Sequence, residues 1–152
     1  GLRLFLRDLL HLYREHGCLW SRDAEPDRGF GWIDCADKAN SVLSFERHDE
    51  HGRLVVVLNL TPVPRTDYRV GAPEPGAWRC IFSSDAALYG GSDYPTRELV
   101  TAEPEAWHGL PQSLVLELPP LAAVVWAARS NTTHWAMPAS RTPSSALMQP
   151  TC

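Results

Sequence analysis

Lysine is almost missing from this 152-residue sequence: Lys38 is the only one, and the other basic residues are arginines scattered along the chain. The formal net charge is −4. Proteins that bind nucleic acids neutralise phosphates with clustered Lys and Arg side chains. The sequence therefore argues against a nucleic-acid partner.

Long apolar runs are also missing. No run approaches the roughly 20 residues that a helix needs to cross a bilayer, which argues against a membrane partner. The first residues, Gly1 to Leu4, show neither an initiator methionine nor the basic, apolar and small-residue regions of a signal peptide. We therefore expect a piece of a longer protein whose natural beginning is absent.

The cysteines are widely spaced and include no CxxC pair: Cys18, Cys35, Cys80 and Cys152. Disulfide frameworks are typical of small secreted domains. With 44% hydrophobic and 21% charged residues, this chain is instead long and apolar enough to bury a core of its own. We expect one globular domain with free, buried thiols in a reducing compartment.

Residues 2 to 16 are predicted to form an amphipathic helix. Apolar and aromatic side chains recur every three or four residues and share one face: Leu2, Phe5, Leu6, Leu9, Leu12, Tyr13 and His16. Gly17 is the expected C-terminal cap. One helix cannot bury such a face alone, so we expect its partner to be a neighbouring structure; little else in the sequence is helical enough to supply a bundle.

Short apolar segments separated by turn signals follow a connection from residue 20 to 40. The predicted strands cover residues 42–45, 54–58, 68–70, 78–82, 114–118 and 122–127. Pro62 and Pro64 end the second strand because proline cannot donate a ladder hydrogen bond. The pattern predicts a mainly β fold, an antiparallel β-sandwich preceded by one helix.

The sequence divides into three regions. We assign residues 1–33 to the helix and its connection, 34–128 to the sandwich and 129–152 to a tail. The tail is rich in Ser, Thr and Pro and has no periodicity, which predicts disorder.

Residues that could carry chemistry are present, but their positions favour structural roles. The carboxylates that could pair for glycoside hydrolysis fall in predicted turns, where Asp is favoured for local hydrogen bonds: Asp34, Asp37, Asp49, Glu50, Asp85 and Asp93. His48, His51 and Cys35 are too sparse a set for a metal site. We predict no catalytic residue, no metal site and no cofactor.

Aromatic residues are the more informative candidates, because an exposed ring can stack on the apolar face of a sugar. Four could contact a glucan chain: Trp78, Tyr89, Tyr94 and Trp107. Trp78 lies on a predicted strand, where a large aromatic side chain usually fills the core. The other three lie in the long polar loop from residue 83 to 109, where a sugar contact and plain packing are both open.

Several stretches of the sequence resemble one enzyme family, in the same order. Residues 58–93, LNLTPVPRTDYRVGAPEPGAWRCIFSSDAALYGGSD, closely resemble the C-terminal region of the bacterial 1,4-α-glucan branching enzymes. Residues 29–45, GFGWIDCADKANSVLSF, and 113–126, SLVLELPPLAAVVW, resemble the same family, and residues 6–16, LRDLLHLYREH, look like the last helix of its catalytic barrel. The resemblance covers residues 2–127 and leaves out the tail.

Branching enzymes belong to the α-amylase superfamily and combine a (β/α)8 barrel with a C-terminal all-β domain. The resemblance implies a hexosyltransferase of glycogen biosynthesis that cleaves an α-1,4 linkage and transfers the freed segment to a 6-hydroxyl, by a retaining mechanism with two carboxyl groups. In the family these groups precede the last helix, so none is carried over to this sequence. The residues that match the family pattern are expected to be structural, with Tyr89 also a glucan contact: Tyr68, Arg69, Trp78, Tyr89, Gly90 and Gly91.

The first hypothesis is that the chain is the C-terminal fragment of a cytoplasmic branching enzyme, with α-glucan and the missing catalytic barrel as partners, and inactive alone. Residues 1–33 would then be the last helix and connection left over from the truncated barrel, and the helix would have an orphaned apolar face. The alternative is a non-catalytic glucan-binding β-sandwich module of another α-amylase-superfamily enzyme. A debranching or trehalose-forming parent is a third option, which the TPVPRTDYR run disfavours.

Overall fold

The structure is a computed structural model that describes residues 1–129. Two 3₁₀ turns, Gly17–Leu19 and Ala87–Tyr89, accompany the helices and strands. The helices are α1 (Leu2–Glu15) and α2 (Pro26–Gly29). The strands are β1 (Phe30–Asp34), β2 (Val42–His48), β3 (Arg53–Asn59), β4 (Arg65–Ala72), β5 (Ala77–Ser83), β6 (Leu99–Thr101), β7 (Gln112–Leu118) and β8 (Ala122–Ala128).

Two antiparallel sheets face each other. The large sheet has six strands in the order β1-β2-β3-β8-β5-β6, and the small sheet pairs β4 with β7. The predicted antiparallel β-sandwich preceded by one helix is confirmed.

The inner core lies between the two sheets. Strand β7 alternates as predicted, with Leu114, Leu116 and Leu118 buried and Val115 and Glu117 less so. The large sheet adds side chains from its central strands, and the main members of the cluster are Val55, Val57, Val70, Trp78, Leu114, Leu116, Leu118, Val124 and Trp126. Period-two burial is what a strand with one face on a core requires.

The outer face of the large sheet carries a second apolar cluster. It consists of Leu12, Cys18, Leu54, Val56, Phe82, Val125 and Ala127, with Phe5, Leu19 and Phe45 packed beside them. Strand β3 therefore has apolar residues on both faces, as its continuous LVVVL run predicts. The inner side chains belong to the sandwich, and the outer ones lie under α1.

The end of β3 is fixed by one buried amide. The Nδ2 group of Asn59 donates to the carbonyl oxygens of Val63 at 2.8 Å and Pro119 at 2.9 Å, and its Oδ1 accepts from the Thr61 amide at 3.1 Å. These bonds join the proline-containing turn after β3 to the turn before β8. A buried polar side chain with all these partners stabilises both turns.

Two of the eight strands in residues 1–129 were not predicted from the sequence. β1 lies in the stretch assigned to a connection, because Gly31 and Asp34 weaken its strand pattern. β6 has only three residues and lies in the predicted polar loop. Both are edge strands of the large sheet, where short and irregular strands are common.

Two smaller expectations were wrong. The C-cap of α1 is His16 in an extended conformation, whereas Gly17 begins a 3₁₀ turn, so the helix ends without a left-handed glycine. The three described cysteines are free, as expected, but only Cys18 is buried, while Cys80 is half-buried and Cys35 is exposed. Burial raises the pKa of the Cys18 thiol to about 11.

The tail predicted to be disordered lies outside the described residues, apart from Arg129. Within residues 1–129, no helix is both long and apolar enough to cross a membrane.

Candidate functional site

Helix α1 packs against the chain's own large sheet. Its Phe5 ring lies 5.7 Å from the Phe82 ring and 5.4 Å from the Tyr89 ring, centroid to centroid, and Leu12 is buried in the outer cluster. The apolar face that was predicted to be orphaned is therefore covered in part by the chain itself. The sheet covers one edge of its broad apolar face.

The rest of that face is uncovered. Five large side chains on α1 are exposed: Leu2, Leu6, Leu9, Leu10 and Tyr13. Beside them runs an apolar groove of about 530 Å³, which we call the helix groove; its lining is Phe5, Leu9, Leu10, Leu12, Tyr13, Leu19, Phe45, Val56, Phe82, Ala123 and Val125. No charged side chain lines it. A contiguous apolar surface of this kind is typical of an interaction site.

Tyr89 connects α1 to the sandwich. Its hydroxyl donates to Oδ2 of Asp8 at 3.0 Å, and its ring contacts Phe5 and Phe82. Burial and the hydrogen bond to Asp8 raise the pKa of Tyr89 to about 12, so the phenol stays a donor at neutral pH. Both ends of the side chain are occupied by contacts within the chain.

The loop that contains Tyr89 and Tyr94 is built around Asp85. Oδ1 of Asp85 accepts from the Ser92 amide at 2.8 Å, and Oδ2 accepts from the Ser92 hydroxyl at 2.8 Å and the Tyr94 amide at 2.9 Å. Gly91 passes so close that a Cβ there would lie 2.1 Å from the Asp85 carbonyl oxygen. Packing against Asp85 therefore requires glycine at position 91. Tyr94 itself is half-buried.

Trp78 belongs to the inner core. It is 0% exposed, and its indole Nε1 donates to the Glu74 carbonyl at 3.2 Å. The ring therefore offers no surface to a sugar.

Trp107 lies in the turn before β7 and is 42% exposed. It borders an open polar cleft of about 680 Å³ between the edge strand β1 and the start of β4, which we call the Trp107 cleft. The lining comes from the β1–β2 connection, from the start of β4 and from the turn before β7: Asp34, Asp37, Asn40, Pro64, Arg65, Thr66, Asp67, Tyr68, Arg69, Trp107 and His108.

The Trp107 ring is presented by a tight turn. The amide of Trp107 donates to the Leu110 carbonyl at 3.0 Å and the Leu110 amide donates back at 2.9 Å, while His108 and Gly109 have φ values of 51° and 75°. Positive φ at both central residues is the signature of a type I′ turn. A Cβ on Gly71 of β4 would lie 2.5 Å from the Trp107 carbonyl oxygen, so glycine lets the turn pack directly on the strand.

The floor of the Trp107 cleft is a fixed hydrogen-bond network. The Tyr68 hydroxyl donates to Oδ2 of Asp37 at 2.8 Å, and Asn40 donates to Asp37 through its side chain at 2.8 Å and its backbone amide at 3.0 Å. Burial raises the pKa of Asp37, but these hydrogen bonds outweigh it and leave the pKa below its ordinary value. Burial also raises the pKa of Tyr68. Asp37 is therefore a carboxylate, and Tyr68 a neutral phenol, at neutral pH.

The turn aspartates have the local hydrogen bonds expected of them, whereas Glu50 forms an ion pair with Arg22 at 3.7 Å. Asp34 accepts from the Ala36 amide, Asp49 from the amides of His51 and Gly52, and Asp93 from the Ala87 amide. Within residues 1–129, no group of three or more His, Cys, Asp or Glu side chains is placed to hold a metal ion.

Comparison with known proteins identifies the class. Residues 32–129 match the family described as "Alpha amylase, C-terminal all-beta domain", and the chain belongs to this family. The match includes all eight strands except the first two residues of β1.

The chain is also similar to proteins named 1,4-alpha-glucan branching enzyme GlgB. It is 50% identical over 130 residues to that of Burkholderia thailandensis, covering 84% of this chain and 16% of the relative. It is 50% identical over 125 residues to that of Cereibacter sphaeroides, covering 82% and 17%. The resemblance inferred from residues 2–127 is confirmed, and the chain spans about a sixth of the length of these relatives.

One relative extends the similarity into the tail. The branching enzyme GlgB of Nitrosococcus oceani is 39% identical over 150 residues, covering 99% of this chain and 19% of the relative. The segment after residue 129 is thus part of that similarity, although the residue patterns of the tail suggested no family.

Proposed function

We propose that this chain acts as the C-terminal β domain of a longer 1,4-α-glucan branching enzyme of glycogen biosynthesis. The proposal rests on one observation. The chain is 50% identical over 130 residues to a branching enzyme, and the match covers 16% of that enzyme. The activity proposed for the parent is hexosyl transfer in the cytoplasm, which makes α-1,6 branches from α-1,4-linked segments. The chain alone is proposed to be inactive.

The partner of the helix groove, on this proposal, is the catalytic barrel of the same enzyme. The relatives are far longer than the chain, and α1 presents Leu6 and Leu10 at 49% and 61% exposure beside a groove without charged lining. Apolar surface of this extent is stabilised when another surface covers it. The sandwich would hold the edge of α1 while the barrel covers the remainder.

A chimera tests this proposal. The C-terminal region of the Burkholderia thailandensis enzyme is replaced by this chain, and branching of amylose is followed by iodine staining. We expect the chimera to branch amylose and the chain alone to leave it unbranched. Leu6→Asp with Leu10→Asp in the chimera should abolish most activity, because two carboxylates would be buried at the barrel contact.

The matched control is Leu99→Asp, since Leu99 is 60% exposed on β6 and is not part of the helix groove. It should keep the activity of the chimera. An inactive chimera that is nevertheless folded, or equal activity in the double Leu6/Leu10 variant, would overturn the proposed role.

A second candidate function is contact with the glucan itself. Of the four aromatic candidates, Trp78 is fully buried and Tyr89 contacts α1. Only Tyr94 and Trp107 have exposed surface that a sugar could contact. The exposure of Trp107 beside a polar cleft favours this function. Loss of amylose binding by the chimera on Trp107→Ala, but not on Tyr94→Ala, would assign it to Trp107.

A further inference from the structure

We propose that His16 is an acid-sensitive switch between α1 and the β-sandwich: its neutral ring keeps the end of the helix closed on the sheet, and a proton on the ring opens it. Because α1 lines the helix groove, opening would also change the surface that the groove presents. The consequence for the catalytic barrel rests on the proposed function. The switch itself rests on residues 1–129 alone.

The backbone of His16 joins two turns. Its amide donates to the Leu12 carbonyl at 3.1 Å and closes the last turn of α1, and its carbonyl accepts from the Leu19 amide at 3.0 Å and closes the following 3₁₀ turn. The residue itself is extended, with φ −107° and ψ 93°. A displacement of His16 would therefore loosen the end of α1 and the turn after it together.

The side chain of His16 lines a pocket of about 180 Å³, which we call the His16 pocket. The pocket lies between the end of α1, the 3₁₀ turn, the β2–β3 turn and the ends of β3 and β8. Three of its residues belong to the outer apolar cluster: Cys18, Leu54 and Ala127. His16 is half-buried, and within residues 1–129 its ring has no hydrogen-bond or ion-pair partner.

The charged and titratable groups of the pocket do little to hold a proton on His16. They are Glu15, Cys18, Asp49, His51 and Arg53. The Asp49 carboxylate already accepts hydrogen bonds from the Ser21 hydroxyl and from two backbone amides of its own turn, and the Arg53 guanidinium is paired with two glutamates. Glu15 alone favours the protonated ring, and its side chain is exposed.

Burial lowers the pKa of His16 below its ordinary value of 6.5, and the opposing effect of Glu15 is smaller. The neutral ring is therefore the form that suits the pocket, whereas protonation would place an unpartnered charge beside apolar residues. The contribution of this ring to stability is complete above about pH 6.5. It is lost as the pH falls through the lower folded-state pKa.

The test uses the intact chain. NMR spectra follow the His16 ring signals between about pH 5 and about pH 8, and hydrogen exchange of the α1 amides is measured at about pH 5.5 and about pH 7.5, corrected for the intrinsic pH dependence of exchange. We expect His16 to titrate below 6.5. The protection of the α1 amides should fall severalfold at the lower pH.

His16→Gln should remove this pH dependence, because the glutamine side chain stays neutral at both pH values. His11→Gln is the matched control and should keep it, since His11 is an exposed residue of the same helix outside the His16 pocket.

Three results would overturn the switch: titration of His16 above 6.5, protection of α1 that does not change with pH, or an unchanged pH dependence in His16→Gln. A fourth would be α1 amides that open only together with those of β3 at both pH values, since the effect would then belong to the whole domain. No branching is measured, so a failed switch and a failed chimera are distinguishable.

Discussion

The two faces of the large sheet both carry apolar residues, but they differ in how completely those residues are covered. On the inner face the small sheet seals the core, and Trp78, Leu114 and Leu116 are 0% exposed. On the outer face one helix covers part of the apolar cluster and leaves a groove of about 530 Å³. The difference separates what the domain needs in order to fold from what it offers to a neighbour.

The same contrast divides the aromatic residues. Trp78 fills the inner core and Tyr89 joins α1 to the outer face, so both are explained by packing. Trp107 is held by a rigid turn yet remains exposed. Trp107 therefore belongs to neither of the two apolar clusters.

The largest effect is expected from one substitution made on each face. Leu116→Ala in the inner core should lower the free energy of unfolding by about 3–5 kcal/mol, because the sealed site cannot collapse around the missing atoms. Leu12→Ala should cost no more than about 2 kcal/mol, because Leu12 already borders an open groove and alanine favours a helix. Urea unfolding of both variants measures the difference. Equal losses would mean that the outer face is as closed as the inner one.

A smaller, pH-dependent effect is expected at Asp85. Burial raises the pKa of Asp85, but hydrogen bonds from Tyr94 and Ser92 outweigh it and hold the pKa below its ordinary value of 3.8. Its contribution to stability is therefore complete above that ordinary value and is lost as the pH falls through the lower folded-state pKa.

Asp85→Asn should lower the free energy of unfolding by about 1–3 kcal/mol at neutral pH, because one of the Ser92 and Tyr94 donors loses its acceptor. In acid the difference from the unmodified chain should shrink. Urea unfolding at neutral pH and at about pH 3 measures it. A difference that stays constant or grows in acid would contradict the assigned role of Asp85.

The smallest effect is expected from Tyr89→Phe. The variant keeps the ring contacts with Phe5 and Phe82 and removes only the hydrogen bond to Asp8. Amides of α1 should exchange a few times faster, while those of β3, β7 and β8 keep their rates. Slower or unchanged exchange in α1 would show that the hydroxyl does not help to hold the helix.

The strong periodicities predicted most of the fold. The helix at residues 2–15 and the hairpin of β2 and β3 followed from apolar spacing, because their faces contact a core directly. β1 and β6 did not, because Gly31 and Asp34 interrupt the apolar pattern of β1 and because β6 has only three residues. The cover that α1 gives to the outer face was missed because a helical stripe shows that a face is apolar but not what lies against it.

The Trp107 cleft shows a similar limit. Trp107 was a candidate by residue type and by its polar surroundings. Its neighbours Asp37, Tyr68 and His108 lie up to 71 positions apart along the chain, as the numbering shows. Only strand pairing brings them together. The His108-Gly109 turn was the one local signal that could have pointed to a fixed, exposed tryptophan.

Hydrogen exchange of the unmodified chain tests the unequal faces most directly. Amides of β3, β7 and β8 should exchange only through global unfolding, with a free energy equal to that from urea unfolding, whereas α1 amides should exchange through a local opening of clearly lower free energy. Protection of α1 as strong as that of the strands would contradict the account, because the helix would then need no further surface to complete it.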